Sequence, residues 1–135
     1  MNTEIESILI ERFGRDSLIA LATEENGVPS VRAVNAVYID GAFYTVTYLL
    51  SNKIRQIEKN SAVGVCGEWF TGHGRGESLG WIGRKENEAL AARLREAFAL
   101  WYQNGHVNEE DANTIILKVT LTDGVVMKNG TRYTF

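Results

Sequence analysis

The stretch from Asn26 to Tyr48 reads NGVPSVRAVNAVYIDGAFYTVTY, and it contains two runs of β-forming residues that each follow an Asx-Gly pair. Asn-Gly and Asp-Gly favour two-residue hairpin turns, because both turn positions require a positive φ. The apolar run SLIALAT precedes this stretch. Together they predict three antiparallel strands in a meander, which are Ser17–Thr23, Val28–Ile39 and Ala42–Tyr48.

The rest of the chain supplies further strands and three helices. An apolar stripe predicts a helix over Thr3–Phe13 that begins with a Thr3–Glu6 capping box and ends at Gly14. The other predicted elements are a short helix after Ser51, the strands Ala62–Thr71 and Arg75–Ile82 joined around Gly72-His73-Gly74, a helix over Arg84–Asn104, and the strands Asn113–Thr122 and Val125–Phe135. Because the strands are short and do not alternate with helices, we expect a mainly β (α+β) fold, a six- to seven-stranded antiparallel barrel with flanking helices in one domain over residues 1–135.

The composition argues against several classes of protein. The chain has 135 residues, 14 basic and 17 acidic side chains and a net charge of -3, so we expect no nucleic-acid partner. The single cysteine, Cys66, permits neither an internal disulfide nor a cysteine-based metal cluster. The charged first residues (MNTEIE) and the lack of a long apolar run predict a cytoplasmic protein that does not enter a membrane.

The sequence contains no recognisable catalytic motif. The glycines of Gly72–Gly83 do not follow the G-x-G-x-x-G spacing of a nucleotide-binding loop, and a strand rather than a helix is predicted after them. His73 and His106 lie far apart and have no third ligand at metal spacing, so no metal site is predicted. Nothing near Cys66 would activate its thiol. We therefore assign no catalytic residue from the sequence.

The helix after the meander carries unusual charges at its start. In YLLSNKIRQIEKN (Tyr48–Asn60), Lys53 and Arg55 occupy the first turn and no acid precedes Glu58, although the start of a helix favours anions. Two interpretations are open. Both cations point to solvent, where the unfavourable interaction with the helix dipole is small, or an anion such as a phosphate binds between them.

The predicted hairpin register brings more donors to this helix start. A two-residue loop at Asp40-Gly41 places Val34 opposite Thr47, and strand alternation puts Arg32 on the same face, which leads to the helix. Each polar group on this patch can donate a hydrogen bond to an anion. The donors are Arg32, Thr47, Ser51, Asn52, Lys53 and the free N–H groups of the helix start.

These residues resemble a known family. The chain is similar to the pyridoxamine 5'-phosphate oxidase-like, FMN-binding split β-barrel family in ALATEENGVPSVRAV (Ala20–Val34), in YIDGAFYTVT (Tyr38–Thr47) and in the T-x-x-x-S-N-K-x-x-Q-I-E-x-N run of Thr47–Asn60. HGRGE (His73–Glu77) resembles the family segment after the fourth strand. The similarity covers about the first two thirds of the chain, and the order of elements agrees throughout.

The resemblance implies a homodimer with FMN at the subunit interface. An arginine of the second strand and a Thr/Ser/Lys group at the junction of the third strand and the next helix would hold the FMN phosphate, with Asn52 where the family often has arginine and Arg55 as a partial replacement. Backbone around Ala33–Asn35 and Tyr44–Val46 would line the flavin ring, and Trp69 would act from the partner subunit. The residues so implied are Arg32, Ala33, Val34, Asn35, Val46, Thr47, Ser51, Asn52, Lys53 and Trp69.

The implied function is that of a small FMN-dependent oxidoreductase, with a small-molecule substrate or a reduced nicotinamide as electron donor. The final stretch GVVMKNGTRYTF lacks the Arg/Trp pattern with which the oxidases hold pyridoxamine phosphate, so the substrate is open. The alternatives are a non-catalytic flavin-binding or sensor protein, a haem-binding split-barrel relative that uses His73, His106 or an unusual ligand, and a dimeric scaffold with an empty groove.

Overall fold

The computed structural model describes residues 1–135, in which seven antiparallel strands form one sheet. The strands are β1 (Ser17–Glu25), β2 (Val28–Ile39), β3 (Ala42–Tyr48), β4 (Ala62–Gly67), β5 (Phe70–Trp81), β6 (Thr114–Lys128) and β7 (Thr131–Thr134). Their order is β3-β2-β1-β4-β5-β6-β7, and pairing of β3 with β6 closes the first six strands into a barrel. β7 extends β6 as a terminal hairpin. The predicted six- to seven-stranded antiparallel barrel is confirmed.

Helices cover the barrel from two sides. They are α1 (Thr3–Phe13), α2 (Asn52–Lys59), α3 (Glu88–Ala97) and α4 (Ala99–Tyr102), with a 3-10 turn at Lys85–Asn87. α1 and α2 bury apolar side chains in the same 18-residue core as the strands, whereas α3 and α4 pack over the outside of β3 and β6 in a second cluster. None of these helices combines the length and the apolar character needed to cross a bilayer.

Two details of the predicted helices are wrong. The N-cap of α1 is Asn2 and not Thr3, because the Asn2 side-chain oxygen accepts a 2.9 Å hydrogen bond from the backbone N–H of Ile5. The predicted helix over Arg84–Asn104 is divided, since the chain leaves helical geometry at Phe98, whose φ is -98° and ψ 14°. An apolar stripe continues across this break, and the sequence pattern therefore does not detect it.

The predicted turn around Gly72-His73-Gly74 is also wrong. The turn lies at Glu68-Trp69, and the glycines run inside β5, where Gly72, Gly74 and Gly76 are all buried and alternate with exposed residues. A Cβ at Gly74 would lie 2.6 Å from the backbone oxygen of Thr120 in β6. Here glycine allows β5 and β6 to approach closely, and it does not form a turn. The predicted break at Asp123-Gly124 is also absent, and β6 continues through these residues as one strand.

The meander forms as predicted, and β2 and β3 then separate. Both hairpin turns have positive φ at their two residues, for instance 46° at Asp40 and 85° at Gly41. The β2–β3 ladder contains only three pairs and ends at Val37↔Tyr44. The predicted pairing of Val34 with Thr47 does not form. Past Tyr44, β3 is paired only with β6 along its other edge, and the part of β2 before Val37 is paired only with β1. The result is a split between the two strands beyond Val37↔Tyr44, on the side where β3 leads to α2.

Candidate functional site: a cationic cluster at the split between two strands

Arg32 of β2 points into the end of the barrel that α2 covers. Its guanidinium donates to the Leu21 carbonyl at 3.2 Å, to Thr23 Oγ1 at 2.7 Å and to Gln56 Oε1 at 3.4 Å. All three acceptors are neutral. Burial lowers the pKa of Arg32 below its ordinary value, since the surroundings disfavour the charged form.

Lys53 of α2 lies beside Arg32. Its ammonium donates to Thr47 Oγ1 at 2.7 Å and, at the long limit of 3.5 Å, to Ser51 Oγ. Burial, and after it the positive charge of Arg32, hold the pKa of Lys53 below its ordinary value. Lys53 lies three residues before Gln56, which accepts from Arg32, so the two cations meet on the same side of α2.

Neither cation has an acidic partner. None of the six ion pairs of the chain includes Arg32 or Lys53. Two partly buried positive charges side by side, held only by hydroxyl, amide and carbonyl oxygens, are unfavourable in the absence of a counter-charge. We call the group Arg32, Thr47, Ser51 and Lys53 the cationic cluster. Its electrostatics suit an anion.

The start of α2 adds donors to the cationic cluster. Ser51 is the N-cap, but its side chain makes no hydrogen bond to the helix backbone, and the first turn contains no acid. The first N–H groups of α2 therefore have no capping partner from the chain. Such N–H groups, together with the positive end of the helix dipole, favour a phosphate or another anion.

Arg55 and Asn52 turn away from the cationic cluster. Arg55 forms an ion pair with Glu25 at 3.0 Å and also donates to Asn52 Oδ1 at 3.0 Å. Glu25 also accepts from Lys59 at 3.1 Å. The expectation that Arg55 partly replaces an arginine at position 52 is not met in this arrangement, because its charge is already paired. The Asn52 side chain accepts from Arg55, so Asn52 offers only its backbone N–H at the helix start.

The remaining residues of β2 and β3 contribute mainly backbone. Val34 packs against the barrel core, Ala33 is exposed, and the Asn35 amide donates to Asp16 at 3.1 Å. Between Arg32 and Asn35, and around Val46, the edges of the split have no strand partner. Their N–H and C=O groups can therefore bond to an inserted planar heterocycle.

Trp69 lies apart from the cationic cluster within one chain. It sits in the β4–β5 turn, is 68% exposed, and has a φ of 51° that is uncommon for a bulky residue. Arg12 donates to its carbonyl at 3.2 Å. His73 is also outside the cluster, paired with Asp123 at 2.7 Å on the exposed face of β5. The chain contains no group of three His, Cys, Asp or Glu side chains that could hold a metal.

Thr23 and Gln56 belong to the site and were not among the predicted residues. Thr23 is 2% exposed and Gln56 is 7% exposed, and the Thr23 hydroxyl donates to Gln56 Oε1. The sequence does contain a signal for Gln56. It is a polar residue on the buried face of α2, between Ile54 and Ile57. A buried amide needs a partner, and Arg32 supplies one.

The comparisons with known proteins define the fold. No family model and no curated protein matches the sequence. General stress protein 26 of Bacillus anthracis is 16% identical, with a TM-score of 0.74 over 98% of this chain and 100% of that chain. An FAD-binding protein of Mesorhizobium loti is 16% identical, with a TM-score of 0.71 over 92% of each chain.

A third structure comes from Clostridium acetobutylicum and is described as related to general stress protein 26, of the pyridoxinephosphate oxidase family. It is 18% identical, with a TM-score of 0.66 over 98% of this chain and 92% of that chain. The chain has the split β-barrel fold. At these identities the similarity concerns the fold, and the function of this split barrel has to be argued from its own site.

Proposed function

We propose that this split barrel is a flavoprotein that binds FMN, with the FMN phosphate in the cationic cluster. The observation that carries the proposal is the placement of Arg32 and Lys53, two neighbouring and partly buried cations without an acidic partner, at the start of a helix that lacks acids. A phosphate monoester carries close to two negative charges near neutral pH, which matches two cations. The hydroxyls of Thr47 and Ser51 add donors of the right reach.

The split between β2 and β3 is the proposed place for the isoalloxazine ring. Its unpaired backbone edges at Ala33–Asn35 and Val46 can bond to the polar edge of the ring, as the resemblance implies. Neighbours named as FAD-binding and as members of the pyridoxinephosphate oxidase family support a flavin. FMN is favoured over FAD, because Arg55 is tied to Glu25 and the cluster therefore has charge for one phosphate group.

A second copy of the chain is the proposed cover for the flavin. Within a single chain, a concavity beside the cationic cluster is lined by Thr47 but not by Arg32 or Lys53, and its other lining residues are Val46, Tyr48, His106, Val107 and Thr114. The outer face of β1, β2 and β4 next to the split is apolar and made of small residues, with Val31 70% exposed. Its members are Ala20, Ala22, Val31, Gly64 and Cys66. We name it the outer apolar face, and in the proposed homodimer it is buried and Trp69 of one copy approaches the flavin of the other.

The proposed activity is that of an oxidoreductase. A bound FMN would supply the redox chemistry, while the residues of this chain bind the phosphate, orient the ring and exclude water. A reduced nicotinamide or another small molecule would be the electron donor. No acid or base needs to stand out for hydride transfer at a flavin, which agrees with the absence of a catalytic constellation.

The visible absorption spectrum of the purified protein, before and after addition of FMN, tests this proposal. A flavin spectrum and saturable binding, with FMN bound far more tightly than riboflavin, would support it. A colourless protein that does not bind added FMN would refute it. Anaerobic addition of NADH or NADPH then separates an enzyme, whose flavin absorbance bleaches, from a flavin-binding protein without this activity.

A further inference from the structure

We propose that Gln56 and Thr23 are positioning residues for the cationic cluster, which hold the Arg32 guanidinium through neutral oxygen atoms and leave its positive charge available to a phosphate. The inference rests on the proposed function. It assigns a role to two buried side chains that do not themselves need to touch the ligand.

The hydrogen bonds among the three side chains have a fixed direction. Arg32 donates to Thr23 Oγ1 at 2.7 Å and to Gln56 Oε1 at 3.4 Å, and the Thr23 hydroxyl donates a hydrogen bond to the same Gln56 oxygen. A hydroxyl has a single proton, so the bond from Thr23 to Gln56 makes Thr23 an acceptor toward Arg32. Thr23 of β1 and Gln56 of α2 therefore hold the guanidinium between these two elements.

The neutrality of Gln56 is the functional part of the inference. A glutamate has the same length and would accept the same hydrogen bonds, but its charge would pair with Arg32 and repel a phosphate. The chain does use acids to hold other arginines, since Glu25 pairs with Arg55 and Glu109 binds Arg95 in two contacts of 2.7 and 2.8 Å. At Arg32 the corresponding partner is an amide.

The decisive variant is Gln56→Glu, and its matched control is Gln103→Glu, the same change at an exposed position after α4. The new carboxylate should stabilise the FMN-free protein by pairing with Arg32 and should weaken FMN binding. We expect an apparent Tm about 3–5 °C higher without FMN, and an FMN affinity about 100-fold lower. Riboflavin affinity should change less than about threefold. The control should change none of these.

A second variant keeps the test valid if Gln56→Glu does not fold. Thr23→Val conserves shape but removes the hydroxyl that links Arg32 to Gln56. It should lower FMN affinity about three- to tenfold and leave riboflavin affinity unchanged. A merely structural role would lower the affinity for both ligands together.

The outcomes separate the inference from the proposed function. If the wild-type protein binds neither FMN nor inorganic phosphate, both fail. If the wild-type protein binds FMN and the variants at Gln56 and Thr23 keep the wild-type ratio of FMN to riboflavin affinity, the inference alone is overturned. Opposite changes in Gln56→Glu, with higher stability without ligand and weaker FMN binding, would establish it.

Discussion

Replacement of Lys53 by methionine removes one charge from the cationic cluster and keeps most of the side-chain volume. The lost interaction with phosphate is a charge-assisted hydrogen bond, worth about 1.5–3 kcal/mol. FMN affinity should therefore fall about 10- to 150-fold. The FMN-free protein should lose little stability, because the desolvation of Lys53 and its repulsion by Arg32 are removed together with its bonds to Thr47 and Ser51.

The assay is a titration of flavin fluorescence against protein, carried out with FMN and with riboflavin at physiological salt. Riboflavin lacks the phosphate, so its affinity for Lys53→Met should stay near that of the wild type. Arg55→Met is the matched control. It removes a cation from the same turn of α2, but one that is paired with Glu25 and 52% exposed. Its effect on FMN affinity should be less than about threefold, as expected for a charge that is already paired and screened by solvent.

Two results would contradict this account of Lys53. The first is an equal loss of affinity for FMN and riboflavin, which would mean that the substitution disturbs the ring site or the fold. The second is an equal effect of Lys53→Met and Arg55→Met on FMN, which would mean that only the general field of the helix matters.

Three further predictions concern pH, packing and assembly. The pKa of Lys53 is lowered from 10.5 in the folded protein, so at alkaline pH below that value the unfolded chain binds more protons than the folded one. The Lys53 contribution to FMN-free stability should therefore rise as the pH increases toward 10.5, while FMN affinity falls. Urea titrations and binding titrations of wild type and Lys53→Met at increasing alkaline pH check it. Gly74→Ala should cost about 1–3 kcal/mol in urea unfolding, since its Cβ would lie 2.6 Å from a backbone oxygen of β6, whereas Gly64→Ala, with its nearest atom at 3.5 Å, should be tolerated. Val31→Asp on the outer apolar face should convert a dimer into a monomer by light scattering, and Leu100→Asp, at a 96% exposed position on α4, should not; an unchanged mass for Val31→Asp would contradict the proposed interface.

The sequence was sufficient for the parts of the fold that rest on local signals. Asn26-Gly27 and Asp40-Gly41 predict two hairpins because these residue types tolerate the positive φ that the turns require, and both hairpins form. A segment with several closely spaced glycines, such as Gly72–Gly76, does not by itself distinguish a turn from a strand. In β5 it permits strands to approach closely, and the same letters in a sequence indicate a turn. The real turn contains Trp69, whose positive φ is the opposite of what its side chain favours.

The cationic cluster was predictable in part. Strand alternation and the position of α2 predict that Arg32, Thr47 and Lys53 share one end of the barrel, although the pairing of Val34 with Thr47 that was part of this prediction does not form. The contacts of Gln56 and Thr23 with Arg32 could not be predicted from the sequence, because they depend on how α2 packs against β1. The ion pair that occupies Arg55 has the same origin, since Glu25 lies 30 positions earlier in the chain.

The short ladder between β2 and β3 has a consequence for how preparations of this protein will behave. Only three residue pairs connect β2 and β3, and a ligand that fills the split would bridge the two strands where their hydrogen bonds are missing. Any such ligand stabilises the folded state by mass action, by about 2.7 kcal/mol at a free concentration 100 times its Kd. The apparent Tm would then depend on how much cofactor each preparation contains, so two samples of identical sequence can unfold at different temperatures.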